Sequence, residues 1–276
     1  MLQGLDGKVA VITGGGSGIG ASLAEACAAE GMRVVVADVN GDRAEAVASE
    51  LPDDTAFGKA VDVSDAAQVQ ELADFAFDTF GAVHLLCNNA GVSPVGRVWD
   101  YSDEDFHWLV GVNLFGVMNG LRAFVPRMIE QGEGHIVNTG SGASFVSTPR
   151  LGPYCATKHA IVGLSEALRY ELEGTGIGVS VLVPAGVNTN IGESGARPSS
   201  DADTTAADFG VLVESLDETS LQMIEPDVVA EVTLVGVKEG WDYIVMGPGQ
   251  EAGLTRRFNE VRDAHRQAKE RFPFLP

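Results

Sequence analysis

Cysteine is scarce in this 276-residue chain, and the little there is lies scattered. Cys27, Cys87 and Cys155 show no CxxC or other metal-type spacing, which argues against a disulfide framework or a cysteine-built metal centre. An odd, sparse set reads as free thiols in a reducing compartment. Basic residues are short as well: 18 Lys/Arg stand against 39 Asp/Glu, a formal charge of -21. A body so acidic repels nucleic acid and anionic membrane surfaces, so neither is an expected partner. No apolar run approaches the roughly 18 residues of a membrane span, and no charged-then-apolar leader opens the sequence. These absences give a cytoplasmic protein as the expectation. The five histidines (His84, His107, His135, His159 and His265) have no HExxH or other ligand spacing, so no metal site is expected. There is no GxxxxGK[ST] loop and no GxSxG elbow around Ser141, which removes two further chemistries.

What is present is a regular alternation. Apolar residues make up 45% of the chain, enough for a sizeable core. The segments 8–13, 33–38, 55–63, 83–88, 134–140, 178–184 and 242–247 are mostly continuous Val/Ile/Ala/Leu runs, as parallel strands covered on both faces require. Helix-period stretches fall between them, near 19–30, 41–51, 65–80, 103–131, 153–173 and 226–239. Strand–helix alternation of this length predicts an α/β fold, one doubly wound parallel sheet of about seven strands with helices on both faces. Ser102 and Asp105 have capping-box spacing, and Pro126 is expected to bend or break the long middle helix late. No linker or repeat divides residues 1–276, so a single domain is expected.

Two regions depart from the alternation. Residues 190–225 are rich in Ser, Asp, Thr, Ala and Gly, and a connection this long reads as a lid over a site. The tail carries Phe258, Val261, Ala268 and Phe272 at helical spacing, which predicts an amphipathic helix at about 251–272. From Glu251 onward there are six Lys/Arg against four Asp/Glu, while the rest has 12 against 35. Docking within or between subunits and a solvated helix both fit that contrast.

The first strand runs into "TGGGSGIG", with Gly14, Gly15, Gly16, Gly18 and Gly20 at a strand–turn–helix junction. Glycines there let backbone N–H groups approach a pyrophosphate at a helix N-terminus, the arrangement of a Rossmann-like dinucleotide site. The second strand ends in Asp38, whose carboxylate can accept from both ribose hydroxyls of NAD and repel a 2′-phosphate. Gly16 and Val39 offer that phosphate no basic group, and Arg43 is the nearest candidate, so NAD is the expected cofactor. Farther on, Tyr154 and Lys158 lie one helical turn apart on one face. A phenol titrates near 10, and a neighbouring ammonium favours its ionised form.

"TGGGSGIG", the "NNAG" at 88–91, Ser141 thirteen residues before Tyr154, the YxxxK of Tyr154 and Lys158, and Asn113 in the long middle helix occur together and in order. In this the chain resembles the short-chain dehydrogenase/reductase family, in its compact single-domain form, over roughly residues 5 to 250. The resemblance implies Tyr154 as general acid/base, with Lys158 lowering its pKa and holding the nicotinamide ribose. It implies that Ser141 orients the substrate oxygen and that Asn113 anchors a water through which Lys158 exchanges protons. It further implies that Gly14, Gly16, Ser17, Gly18 and Ile19 line the cofactor, with Asp38 and Val39 on the adenosine ribose side. Asp62 and Val63 would flank the adenine, and Asn89, Ala90 and Gly91 would line the cofactor farther along. "PAGVNT" matches the family's PGxVxT with Ala185 in place of glycine, and Pro184, Val187 and Thr189 would lie beside the nicotinamide.

The chemistry has its own logic. Hydride can leave an alcohol carbon only as the hydroxyl proton is removed, and a phenol lowered towards about 7–8 suits that near neutral pH. Ser141 and Tyr154 aimed at one oxygen would also stabilise alkoxide character. The expected substrate is a small-molecule secondary alcohol or ketone. Phe145, Val146 and Leu151, with Val92 to Val98, Trp99 and Gly142 nearby, favour an apolar or aromatic one. "GVNLFGVMNGLRAFVPRM" and "YIVMGPGQEAGLTRRF" resemble bacterial members that oxidise aryl or bulky secondary alcohols, including lignin-derived benzylic ones. Steroid, terpene and polyol substrates, and a non-catalytic NAD-binding regulator, remain alternatives. The resemblance also implies a homo-oligomer, tetramer or dimer, using the 103–131 and 153–173 helices.

Overall fold

The computed structural model describes residues 2, 4–52, 55–189, 191, 196–200, 202–214, 222–247, 249–272 and 274. Seven parallel strands form one sheet: β1 (Val9–Thr13), β2 (Arg33–Asp38), β3 (Ala56–Ala60), β4 (Leu85–Asn88), β5 (Gly134–Thr139), β6 (Ile177–Pro184) and β7 (Tyr243–Met246). Their spatial order is β3-β2-β1-β4-β5-β6-β7, and every ladder is parallel. The order reverses between β1 and β4, so the crevice beyond their carboxyl ends is where such sheets take ligands.

The helices follow from local chemistry. α1 (Gly18–Ala29) leaves the glycine loop after β1, and α2 (Gly41–Glu50) is capped by Asn40, which accepts from Arg43 N at 3.1 Å. α3 (Ala66–Phe80) is capped by Asp65 and stopped by Gly81 at φ 79°, a left-handed position that glycine takes without strain. The expected Ser102–Asp105 capping box opens α4 (Asp103–Val110). α6 (Gly152–Glu171), α8 (Pro226–Glu239) and α9 (Gln250–Arg271) fall within two residues of the sequence reading. The core lies on both faces of the sheet. Val11, Val35, Phe124 and Ile136 belong to one side, and Ile12, Leu23, Val36 and Leu182 to the other. This two-sided burial is why the strands read as unbroken apolar runs.

Three expectations need correcting. Pro126 does not break its helix. α5 (Gly116–Gln131) runs through it, because the carbonyl left without a donor belongs to Arg122 on the exposed face, where water can satisfy it. The irregularity lies earlier, in a π-helical turn over Gly111–Phe115 that separates α4 from α5 and carries Asn113. π turns inside helices recur at functional sites. With that turn included, Asp103–Gln131 is long and apolar enough to cross a membrane, contrary to the sequence count. Half of that apolar window packs inside the protein, where Leu109, Val117, Leu121, Phe124 and Met128 are buried. The third strand stops at Ala60 rather than continuing to 63, because Asp62 turns the chain by accepting from Ser64 N and Oγ at 2.9 and 2.7 Å.

The 190–225 segment contains a helix that its composition did not signal, α7 (Ala202–Glu214). Long-range charge fixes it. Asp208 is buried and accepts from Arg150 Nη1 at 2.8 Å, while Arg197, also buried, approaches it at 3.5 Å and donates to the Asp100 carbonyl at 2.6 Å. Residues 190, 192–195, 201 and 215–221 of the expected lid lie outside the described residues.

Candidate active site

The glycine cradle is shaped by what each missing Cβ would strike. At Gly14, φ 64°, a Cβ would stand 2.7 Å from the Ala90 Cα, and at Gly20 it would stand 2.0 Å from the Gly14 carbonyl oxygen. The first helical turn therefore lies directly against the loop, with N–H groups open at its end. Ser17 is the N-cap of α1, and Ile19 packs into the core side of the loop. Gly18 meets the Thr189 side chain, where an added Cβ would come within 2.9 Å. The glycine loop and the segment after β6 thus close on each other from opposite sides of the crevice.

Asp38 ends β2 and faces the loop. Its Oδ2 accepts from Gly16 N at 3.0 Å and its Oδ1 from Asn40 N at 2.9 Å, which fixes the carboxylate at the crevice rim. Val39 is exposed. Asp62 is tied up in its own turn, and the Val63 carbonyl accepts from Asn119 at 2.9 Å. On the β4 side, Thr13 Oγ1 accepts from Asn89 N at 3.0 Å and Ala90 N at 3.2 Å. The Asn89 amide donates to the Thr13 carbonyl at 3.1 Å and accepts from Thr139 Oγ1 at 3.3 Å, bridging β1 and β5. Pro184 pairs with Met246, and Val187 forms a bridge with Ile224. Ala185, where the family pattern has glycine, is accommodated by Gly247: at φ 115°, a Cβ on Gly247 would stand 2.3 Å from that of Ala185. These residues would suit a dinucleotide: a glycine cradle no side chain could share, a helix N-terminus for the pyrophosphate and a carboxylate for the ribose.

The remaining candidate residues gather beyond β5. Ser141 caps a short 3-10 turn, Gly142–Ser144, so its Oγ accepts from Ala143 N at 3.1 Å. Tyr154 lies in the first turn of α6, only 6% exposed, with Ser141 near enough to its phenol to favour the ionised form. Lys158, one turn later and 4% exposed, places Nζ 5.8 Å from the Tyr154 ring centroid and donates to the Thr139 carbonyl at 2.8 Å. Asn113, fully buried, exchanges two hydrogen bonds with the Val92 backbone at 2.8 and 2.9 Å and donates to Thr157 Oγ1 at 3.2 Å. Gly91 lies between them: a Cβ there would stand 3.4 Å from Asn113 Oδ1 and 3.5 Å from Lys158 Nζ. Four residues from three separate segments therefore converge at one end of the sheet.

The electrostatics differ from the sequence expectation of a phenol lowered towards 7–8. Burial pushes the Tyr154 phenol up to about 12, and the Ser141 hydrogen bond recovers only part of that. The same burial lowers Lys158 to about 8, against an ordinary value of 10.5. The two shifts share a cause: each group's charged form has lost water. A prediction follows from the sign. Between about pH 8 and 10.5 the unfolded chain binds a proton at Lys158 that the folded chain does not, so stability rises with pH through that window. Lys158→Met is thus expected to stabilise the free protein by about 2 kcal/mol at pH 7 while impairing turnover, because a buried ammonium is replaced by an apolar group of similar length. Urea unfolding at pH 7 and at pH 10 checks this: the gain should shrink at the higher pH. Equal stability of both proteins at pH 7 would contradict the buried charge.

Several supporting residues escaped the sequence reading. Thr13 and Thr139 are the polar hubs of the crevice, although both stand inside the motifs "TGGGSGIG" and "NTGSG". Thr157, within the YxxxK, closes the chain from Asn113 to the Tyr154 carbonyl, which accepts its hydroxyl at 2.8 Å. Among the described residues no three His, Cys, Asp or Glu side chains converge as a metal site.

Comparison with known proteins agrees with this geometry. Residues 8–198 match the family model described as short chain dehydrogenase. The chain is 38% identical to the C alpha-dehydrogenase of Sphingobium sp. over 262 residues, covering 93% of this chain and 86% of that protein. It is 40% identical to the D-threitol dehydrogenase of Mycolicibacterium smegmatis over 190 residues, 68% of this chain and 73% of that one. A short chain dehydrogenase/reductase from Burkholderia phymatum, solved in complex with NAD, superimposes with a TM-score of 0.87 at 38% identity, covering 95% of this chain and 96% of that one. With fold, convergent residues and relatives in accord, this chain belongs to the short-chain dehydrogenase/reductase family and is an oxidoreductase acting on CH–OH groups.

Proposed function

We propose that the enzyme interconverts a secondary alcohol and its ketone with NAD as hydride carrier and Tyr154 as general acid/base. The observation that carries this reading is the buried Tyr154 phenol, with Ser141 beside it and Lys158 Nζ 5.8 Å from its ring centroid. When bound, the nicotinamide takes or gives the hydride, and its oxidised form adds positive charge at the site. Ser141 Oγ and Tyr154 Oη hold the substrate oxygen. In reduction the neutral phenol donates its proton to the ketone oxygen; in oxidation the phenolate removes the alcohol proton, and positive charge nearby offsets the burial that disfavours it. Lys158 stabilises that phenolate and holds the ribose, and Asn113, bonded to both Val92 and Thr157, anchors the proton exit behind it. NAD rather than NADP is favoured by Asp38, whose carboxylate would oppose a 2′-phosphate.

Phe145, Val146 and Leu151 together with exposed Val98 and Trp99 favour an apolar or aromatic substrate. The similarity to a C alpha-dehydrogenase supports a bulky aryl alcohol, and the similarity to a D-threitol dehydrogenase keeps a polyol in view. The reading includes a cytoplasmic dimer or tetramer, supported by exposed apolar Phe115, Met118 and Tyr170 along the π turn, α5 and α6. The test is absorbance at 340 nm with NAD or NADP across 1-arylethanols, 2-alkanols, a steroid, a terpene alcohol and a polyol. Turnover with NAD is expected. No turnover across the panel, with NAD bound normally, would favour a non-catalytic regulator.

A further inference from the structure

Three excursions leave the carboxyl end of the parallel sheet: residues 89–105 after β4, 140–151 after β5 and 185–214 after β6. Each contributes charge to one cluster. Asp105 comes from the first, Arg150 from the second, and Arg197 and Asp208 from the third. Asp105, Arg197 and Asp208 are buried, and Arg150 is partly so. Among the described residues of 196–214 the buried side chains are Arg197, Asp208 and Leu212, so charge has a large part in docking this segment.

Asp208 Oδ1 accepts from Arg150 Nη1 at 2.8 Å, and its Oδ2 lies 3.5 Å from Arg197 Nη2. Arg197 Nη1 donates to the Asp100 carbonyl at 2.6 Å and stands 3.7 Å from Asp105 Oδ2, with the guanidinium carbon 5.0 Å from the Tyr101 ring centroid. Asp105 also accepts from the backbone N–H and the hydroxyl of Ser199 while completing the capping box of α4. The chain after β4 lies close on the cluster: a Cβ on Gly96 would stand 3.2 Å from the Arg197 guanidinium carbon and 3.3 Å from Asp208 Oδ2. Arg150 is the one non-glycine residue at positive φ among the described residues, at 66°. A side chain is held in that left-handed region only where its surroundings over-determine it. Here the Arg150 carbonyl accepts from Gly96 N at 2.9 Å while its guanidinium grips Asp208.

Burying charge forfeits water, and only the assembled geometry repays that loss. Two tethers of the cluster lead to the reaction centre. Arg150 stands four residues before Tyr154, and Asp105 lies in the helix that runs into the π turn of Asn113. We propose that Arg197 and Asp208 are positioning residues: they latch residues 196–214 onto the two segments that lead to Tyr154 and Asn113, and so set how tightly the mouth of the site closes on a bound alcohol. The four charged groups dock or release as a unit. The role in substrate retention rests on the proposed alcohol oxidation; the latch itself does not. Because the pair acts through the segment it holds, it governs binding of the alcohol rather than proton or hydride transfer.

Hydrogen exchange on the free protein tests the latch without any substrate. In Asp208→Asn the amides of 202–214 should exchange about tenfold faster than in the wild type, while those of β5 and α6 keep their rates. Arg150→Gly, which suits a φ of 66° and removes the guanidinium, should do the same, so the result does not hang on the folding of one variant. With the best alcohol of the panel, each variant should raise KM about tenfold and leave kcat within about threefold, and the double variant should cost no more than either alone. Unchanged exchange over 202–214 in both variants would overturn the latch and leave the alcohol-oxidation reading intact. A fall in kcat as large as the rise in KM would overturn the positioning role, because the damage would then reach the reaction centre itself. Turnover of no alcohol by the wild type would overturn the retention role together with the alcohol-oxidation reading, while the exchange rates would still decide the latch.

Discussion

Tyr154→Phe is expected to lower kcat by roughly a thousand- to ten-thousandfold for any alcohol the enzyme oxidises, while the protein folds and binds NAD as before. The change removes one oxygen. With it goes the proton acceptor for the alcohol and one of two groups holding the substrate oxygen, leaving Ser141 alone. The ring stays in place, since it is almost wholly buried. Burial pushes the phenol up to about 12, so removing its hydroxyl takes away no charge at neutral pH and should shift stability by only about 1 kcal/mol. Steady-state rates at 340 nm, with circular dichroism and NAD titration as controls, check this. A variant keeping a tenth of wild-type kcat would show that the proton moves through another group.

Asp38→Ser is expected to shift the ratio of kcat/KM for NAD over NADP by about a thousandfold towards NADP. Two effects of opposite sign combine. NAD loses charge-assisted hydrogen bonds from its ribose, and NADP loses the repulsion between carboxylate and 2′-phosphate. Arg43 is already close to the cradle, its Cβ lying 2.9 Å from where a Cβ on Gly16 would be. Once the carboxylate is gone, that guanidinium becomes the available partner for the phosphate. The loss of the Gly16 and Asn40 contacts will loosen the loop, which lowers both cofactors' affinities together and leaves the ratio to report the charge. An unchanged ratio would mean that the carboxylate serves only to hold the loop.

Much of this was legible in the sequence for identifiable reasons. β2 was bounded to the residue because a parallel strand covered on both faces is an uninterrupted apolar run, Val34 to Ala37, ended by a polar Asp38. The Tyr154–Lys158 pair was legible because helical spacing forces residues four apart onto one face. What escaped depends on contacts distant in sequence. α7 is fixed by Arg150 and Arg197, 58 and 11 residues from Asp208, and no local periodicity announces such pairing. The π turn around Asn113 requires one residue more per turn, which an apolar pattern over 103–131 averages away. Spacing places Lys158 beside Tyr154 but says nothing of burial, which raises the phenol by more than Ser141 lowers it.

The central claim is direct hydride transfer from an alcohol carbon, with Tyr154 taking the proton. The most direct measurement uses the best alcohol from the panel, deuterated at its carbinol carbon, incubated with NAD+ and followed by mass spectrometry of the reduced nucleotide. One deuterium should reach the nicotinamide in every turnover, the ketone should form in equal amount, and both should vanish in Tyr154→Phe. Reduced nucleotide without deuterium, or full transfer in the phenylalanine variant, would contradict the account.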